Sequence, residues 1–169
     1  GKSRRAVRSM GRTGCPPIFQ YPSNRLHHIH ATHPEIAERT AHVLDSKAYL
    51  MHLLTGEYFT DYSTANSLGC LGIDGHWDTA TIETTGFEPR QFPRVLNGFT
   101  DRVPLAPAVC RELGLREGTA ISAGLYDGAA LAAAMTGFEP GIGVGNFGTS
   151  GMFREPTDAV IAADCGRFA

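Results

Sequence analysis

An acid flanked by glycines and, downstream of it, a glycine-rich turn carrying two hydroxyls are the features of this chain whose types and spacing could do chemistry. Asp127 stands in Ala123-Gly124-Leu125-Tyr126-Asp127-Gly128-Ala129-Ala130, where a short apolar run gives way to an alanine-rich one. An acid at such a strand-to-helix junction can be a helix N-cap. It can equally take a proton from a substrate hydroxyl, and glycines on both sides give the open surroundings that a base needs and a cap does not. In Gly148-Thr149-Ser150-Gly151 the glycines let backbone amides approach an anion closely, and Thr149 and Ser150 add hydroxyl donors. Alone, such a sequence is only a turn. Paired with Asp127, it reads as a phosphate-contacting hairpin opposite a base.

Gly143-Val144-Gly145-Asn146-Phe147-Gly148 matches the dinucleotide fingerprint G-x-G-x-x-G. That fingerprint must open a helix and be followed by an acid further on. Thr149 to Phe153, with Pro156 close behind, is hairpin chemistry instead, so a nicotinamide-dependent enzyme is not expected. His27, His28, His30 and His33 are dense enough to share a helical face and hold zinc or nickel, but only Glu35 stands nearby to complete a site. A solvated surface cluster is the reading, and no metal site is expected there. Asp61, in Thr60-Asp61-Tyr62-Ser63, is either a substrate contact or an Asx-type loop brace, and loop acids followed by hydroxyls mostly stabilise turns. Asp74, Asp78 and Asp101 carry no distinguishing context.

The elements that must position these groups follow from caps and periodicity. Proline and glycine clusters make the first thirty residues a short helix followed by loop. Pro34 at a first helical position, Glu35 in the first turn, and Ile36, Ala37, Thr40, Ala41 and Leu44 at helical spacing predict a helix. Asp45 or Ser46 can cap a second helix with Tyr49, Leu50, Leu53 and Leu54 on one face, ended by Gly56. A third is expected over residues 74–86, with Trp77 at its start and Ile82 on the core side, and a fourth over residues 107–113, stopped by Gly114. Residues 119–123 fit a buried strand, residues 128–135 an alanine-rich helix, and residues 142–155 an antiparallel hairpin with residues 148–151 at its tip.

The chain of 169 residues carries a net charge of −2 and is 42% hydrophobic, which suits a globular protein and gives no reason to expect a nucleic-acid partner. Lys2, Arg4, Arg5, Arg8 and Arg12 crowd the start without interleaved aromatics and read as a solvated end. Cys15, Cys70, Cys110 and Cys165 are too scattered for a Cys-x-x-Cys pair and read as reduced structural thiols. No stretch approaches the ~18 apolar residues of a membrane span. A cytoplasmic location is the expectation.

Taken in order, these segments resemble the FGGY family of carbohydrate kinases along most of the chain. Arg25-Leu26 to Ile29, followed by Pro34-Glu35, resembles a family segment built around Lys-Leu-x-Trp, with Arg25 in place of the lysine and His28 where tryptophan is usual. Lys47-Ala48-Tyr49-Leu50 through Leu54-Thr55-Gly56, then Thr60-Asp61-Tyr62-Ser63 with Ala65, is close to the family's helix and following loop. Trp77, Gly86 and Phe92-Pro93, then Leu113-Gly114-Leu115 with Gly118-Thr119, match the stretches leading to the catalytic strand. Gly124 to Ala130 matches the segment holding the family's general base, and Glu139-Pro140-Gly141 to Gly151 the start of its nucleotide-binding domain. Each motif is weakly specific, and the order and spacing carry the resemblance. The departures at Arg25, His28 and around Arg102 bear on the substrate rather than the family.

The resemblance implies an α/β fold of the actin-like ATPase, ribonuclease-H-like type. Residues 1–138 would be part of the N-terminal sugar-binding domain, and residues 139–169 the start of the C-terminal nucleotide-binding domain. It implies transfer of the γ-phosphoryl group of ATP, with Mg2+, to a hydroxyl of a sugar or polyol. Asp127 would be the base and a substrate contact, and Gly148, Thr149 and Ser150 would lie along the β- and γ-phosphates. Asp61 is a weaker substrate-contact candidate. A homodimer is compatible with this family. The chain lacks the family's N-terminal Asp-x-Gly-Thr loop and its adenosine-binding segment, so it is not expected to turn over substrate on its own. From a different class, the alternative is a non-catalytic sugar- or nucleotide-binding protein with the same fold. A base beside a phosphate site separates the two, since a pure binder has no use for one.

Overall fold

The computed structural model describes residues 9–15, 19–149 and 151–159. Ser150 and Cys165, with Lys2, Arg4, Arg5, Arg8, Pro16 and Pro17, lie outside the described residues. Helix α1 runs over Pro22–Thr32 and α2 over Pro34–Arg39, each with proline in its first turn. Helix α3 (Ser46–Thr55) leads to strand β1 (Phe59–Asp61) and α4 (Tyr62–Ser67). Helix α5 (Thr79–Thr84), a 3-10 turn (Pro89–Gln91) and strand β2 (Arg94–Leu96) follow. Then come β3 (Val103–Pro104), α6 (Pro107–Glu112), β4 (Ala120–Ile121), α7 (Asp127–Thr136) and the strands β5 (Val144–Phe147) and β6 (Gly151–Arg154).

The strands form three two-stranded pairs. β1 and β2 are parallel, with Phe59 opposite Arg94 and Asp61 opposite Leu96. A parallel pair needs a crossover, and α4, α5 and the 3-10 turn supply it. β3 and β4 are antiparallel, as are β5 and β6, where Val144 faces Arg154 and Phe147 faces Gly151. One apolar cluster gathers Ala37, Val43, Leu68, Cys70, Ile82, Phe87 and Phe92 from the crossover and the helices before it, with Leu26 and Trp77 packed against it. Ile82 is fully buried there, which stabilises the fold by about 1.5–3 kcal/mol. The second cluster, Phe59, Val103 and Ala123 with Met51, Leu96 and Ile121, lies under the strands that lead to the acid.

Caps and stops fall where the sequence places them. The Asp45 carboxylate accepts the Lys47 and Ala48 amides at 2.8 and 3.0 Å, and Gly56 closes α3 in the left-handed region at φ 82°. Helix α6 ends just before Gly114. Several expectations are corrected. Residues 22–32 are helical rather than loop, because Pro22 starts a helix as readily as it breaks one. The helix expected to reach Leu44 stops at Arg39: Thr40 turns extended, its carbonyl accepts Gln91 Nε2 at 2.7 Å, and Val43 donates to the Gln91 carbonyl at 2.8 Å.

Helix α3 buries Ala48 and leaves Tyr49, Leu50 and Leu53 about half exposed, so most of the apolar face points outward. The helix expected over residues 74–86 shrinks to Thr79–Thr84. Asp74 and Trp77 are held in a preceding turn, where Leu71 and Trp77 bridge and the Trp77 indole donates to the Pro93 carbonyl at 2.8 Å. The strand expected over residues 119–123 is only Ala120–Ile121, and Ala120 is exposed rather than buried. Arg12, expected to be solvated, pairs through Nε with Asp78 at 2.9 Å.

Candidate active site

Asp127 opens α7 as its first helical residue, with Tyr126 as the N-cap. It is exposed, and its Oδ1 accepts the Gly128 amide at 2.6 Å. The side chain thus stands at the N-terminal end of α7, accessible from solvent. Gly128 behind it is buried, because the Arg154 guanidinium of β6 lies where a side chain would be. The hairpin and the start of α7 therefore meet at Arg154 and Gly128. Arg154 Nη1 is buried without a hydrogen-bond partner among the described residues.

The segment between β4 and α7 is held from two sides. Gly98 packs its backbone against the Gly124 carbonyl so closely that any side chain at 98 would collide with it, while the Ser122 hydroxyl donates to the Gly98 carbonyl at 2.8 Å. Gly98 belongs to a self-braced loop. There the Asn97 side chain accepts the Phe99 and Thr100 amides, and Asp101 accepts the Asn97 amide at 2.9 Å. From the other side, the Ser63 hydroxyl accepts the Tyr126 amide at 2.8 Å.

Asp61 is fully buried, with the Lys47 ammonium on one carboxylate oxygen and the Ser63 hydroxyl and the Ser63 and Thr64 amides on the other. Burial raises its pKa, but the bonds from Lys47, Ser63 and Thr64 prevail and hold the carboxyl below its usual range. This is the geometry of a turn brace and cap for α4. Asp78 likewise caps α5, and Asp101 braces its loop.

The hairpin has the expected form. After β5 the chain turns at Gly148 and Thr149, both exposed, and returns in β6. A strand rather than a helix follows the G-x-G-x-x-G match, which removes the nicotinamide reading. A Cβ placed on Gly148 meets nothing within 4 Å, so the turn stands clear of the rest of the described residues. After α7, Gly137 and then Phe138 take left-handed conformations at φ 60° and 63°, and the Phe138 ring meets Phe99 edge-on at 5.3 Å.

The histidines disperse. His27 Nδ1 lies 3.1 Å from the Thr84 carbonyl, His33 lies 3.4 Å from Glu35, and the His30 ring rests against Gly86. Among the described residues no three His, Cys, Asp or Glu side chains gather as a metal-binding group, and no helix is long and apolar enough to cross a membrane. Sequence reasoning missed Lys47, Ser63, Gly98 and Arg154 as neighbours of the site. Only the Asp-Tyr-Ser run beside Asp61 carried a local signal for one of them.

The model of the FGGY carbohydrate kinase N-terminal domain matches residues 2–136, most of the chain and all of the segment through α7. The chain belongs to the FGGY family of carbohydrate kinases. It is 25% identical over 157 residues to the gluconokinase of Bacillus subtilis (strain 168), covering 92% of this chain and 31% of that protein. Among solved structures it is similar to a xyloylose kinase from Brucella ovis, with a TM-score of 0.81 and 26% identity over 90% of this chain and 33% of that one. It also resembles a xylulose kinase from Rhodospirillum rubrum, with a TM-score of 0.80 at 23% identity over 90% of this chain and 32% of that one, a likeness of fold. The FGGY chain described here thus spans about a third of the length of these relatives. Its fold is the corresponding part of their α/β, actin-like ATPase architecture.

Proposed function

We propose that this chain forms the base-bearing part of a kinase that moves the γ-phosphoryl group of ATP onto a hydroxyl of a sugar or polyol. The observation that carries this is the exposed Asp127 carboxylate at the first position of α7, inside the region that matches the FGGY N-terminal domain. In the proposed step the sugar hydroxyl gives its proton to an Asp127 carboxylate oxygen. The oxygen then attacks the γ-phosphorus, and the bond from that phosphorus to the bridging oxygen of ADP breaks. Gly148 and Thr149, with the neighbouring Ser150, would receive the β- and γ-phosphates through backbone amides and hydroxyls, and the open tip of the hairpin fits such a ligand.

Magnesium, when bound, neutralises phosphate charge. It would be held mainly by the substrate phosphates, and no side chain of this chain is assigned to it. A division of the chain near residues 138–141 accords with the left-handed pair Gly137 and Phe138 ending α7 and with the match closing at residue 136. Gluconate and xylulose are the first substrates to try, because the relatives act on sugars of those kinds by name.

The test is ADP release by the complete enzyme over a panel of gluconate, xylulose and glycerol, with Asp127→Asn beside the parent. Asparagine keeps the size of the side chain and removes the base, so folding and ATP binding should persist while turnover falls by ~10² to 10⁴. Turnover at the parent rate would leave Asp127 as no more than an acid in the first turn of α7.

A further inference from the structure

Lys47, Asp61 and Ser63 take no part in the proposed transfer, yet their chain of contacts ends on the backbone of the residue before Asp127. Resting on the assignment of Asp127 as the base, we propose that Ser63 is a positioning residue for it. Its hydroxyl, oriented by the buried Asp61, holds the Tyr126 amide and so fixes where α7 begins and where Asp127 projects.

The polarity of this chain leaves one arrangement. An ionised carboxylate can only accept, so the single Ser63 hydroxyl proton must point to Asp61. That leaves the lone pairs of the oxygen for an incoming donor, and the Tyr126 N–H supplies it at 2.8 Å. The Lys47 ammonium, on the other carboxylate oxygen, keeps Asp61 ionised and the direction fixed. Charge-assisted bonds of this kind are about twice as strong as neutral ones.

The contact is long-range: Ser63 sits on α4 next to β1, and Tyr126 begins α7. Tyr126 makes no side-chain cap bond of its own, and the segment before it passes through Gly124 at φ 64°. The entry to α7 is thus set by groups outside the helix, of which Ser63 holds the amide of the residue just before the acid. A base displaced by about 1 Å can cost up to ~10²-fold in rate.

The experiment uses the complete enzyme, with ADP release measured on gluconate and xylulose. Ser63→Ala removes the acceptor and should lower kcat by about 10- to 100-fold with the KM for ATP little changed. Ser63→Thr keeps the hydroxyl and should restore most of the rate. In the Asp127→Asn background, which has no base left to position, Ser63→Ala should change the residual rate by no more than about twofold. Equal losses in both backgrounds would show that Ser63 serves the fold alone, and would overturn the proposal while leaving Asp127 as the base. Asp127→Asn at the parent rate would instead remove the base, and this proposal with it. Exchange of the Tyr126 amide in the unmutated enzyme gives a readout that needs neither a sugar nor a folded variant. Protection there supports the bond to Ser63, and free exchange overturns it.

Discussion

Replacing Asp61 by asparagine probes the buried end of this network through stability rather than rate. The asparagine oxygen can still accept the Ser63 and Thr64 amides, which lie at 2.9 and 3.2 Å from Asp61 Oδ1, so the cap on α4, worth about 1 kcal/mol, is retained. What is lost is the charge facing Lys47, and the new amide group presents a donor to another donor. Breaking a fully buried ion pair costs about 3–5 kcal/mol. The Lys47 side chain keeps 22% of its surface exposed, so its ammonium can swing partly to water, which brings the expected loss to about 2–3 kcal/mol. Native-state hydrogen exchange at the Ser63 and Thr64 amides reads this directly, as exchange faster by about 30- to 150-fold at pH 7.

The pH dependence has a fixed sign. The folded pKa of Asp61 lies below its unfolded value of about 3.9, so the ionised form stabilises the fold above that pH, and the stability is lost as pH falls through the lower folded value. The gap between parent and variant should therefore be full from about pH 5 upward and narrow below about pH 4. Equal exchange in the two proteins at pH 7, or a gap that stays constant into acid, would refute the ion-pair account.

Other consequences can be measured on the same protein. Ile82→Ala, at a fully buried site, should cost about 2–5 kcal/mol in urea unfolding, whereas Ile36→Ala, at a half-exposed one, should cost less than about 1 kcal/mol. Gly98→Ala drives a methyl into the Gly124 carbonyl, so it should lower stability by about 1–3 kcal/mol and also slow turnover by displacing the entry to α7. Burial, with Cys15 and Asp78 nearby, pushes the Cys70 thiol up to about 12, so it should resist alkylation in the folded protein at pH 8. Its linkage runs opposite to that of Asp61: the contribution is full below the unfolded thiol pKa of about 8.5 and is lost as pH rises towards 12, which a Cys70→Ala variant should flatten.

Much of the local structure was legible because its causes are local. Asp45 two residues before its amide partner, Gly56 and Gly114 at helix ends, and the Gly-Thr-Ser-Gly turn each act within a few residues, so the sequence alone specifies them. Asp127 was legible for the same reason, standing between a short strand and an alanine-rich run. The failures are non-local. Thr40 leaves the helical pattern because Gln91 takes its carbonyl, and nothing near Thr40 announces that. Tyr49, Leu50 and Leu53 have helical spacing, but spacing gives a stripe without saying which face meets a neighbour, and here Ala48 does. Lys47 with Asp61, Gly98 with Gly124 and Arg154 with Gly128 are pairings made by the fold, so no window of sequence contains both members.

The loop of residues 97–101 touches the chain on both sides of α7. Gly98 abuts Gly124 before the helix, and Phe99 meets Phe138 after it, at a residue whose left-handed backbone costs roughly 1–2 kcal/mol and whose ring contact returns about 0.5–1.5 kcal/mol. Because Asn97 and Asp101 tie the loop to itself, it behaves as a rigid bracket, and α7 is a rod gripped at each end by one part. A rod so mounted does not pivot about one end: any displacement of the bracket carries both ends together. Asp127 at one end and Phe138 at the other would then move in step with the loop, and the placement of the acid would survive motions that alter the rest of the molecule.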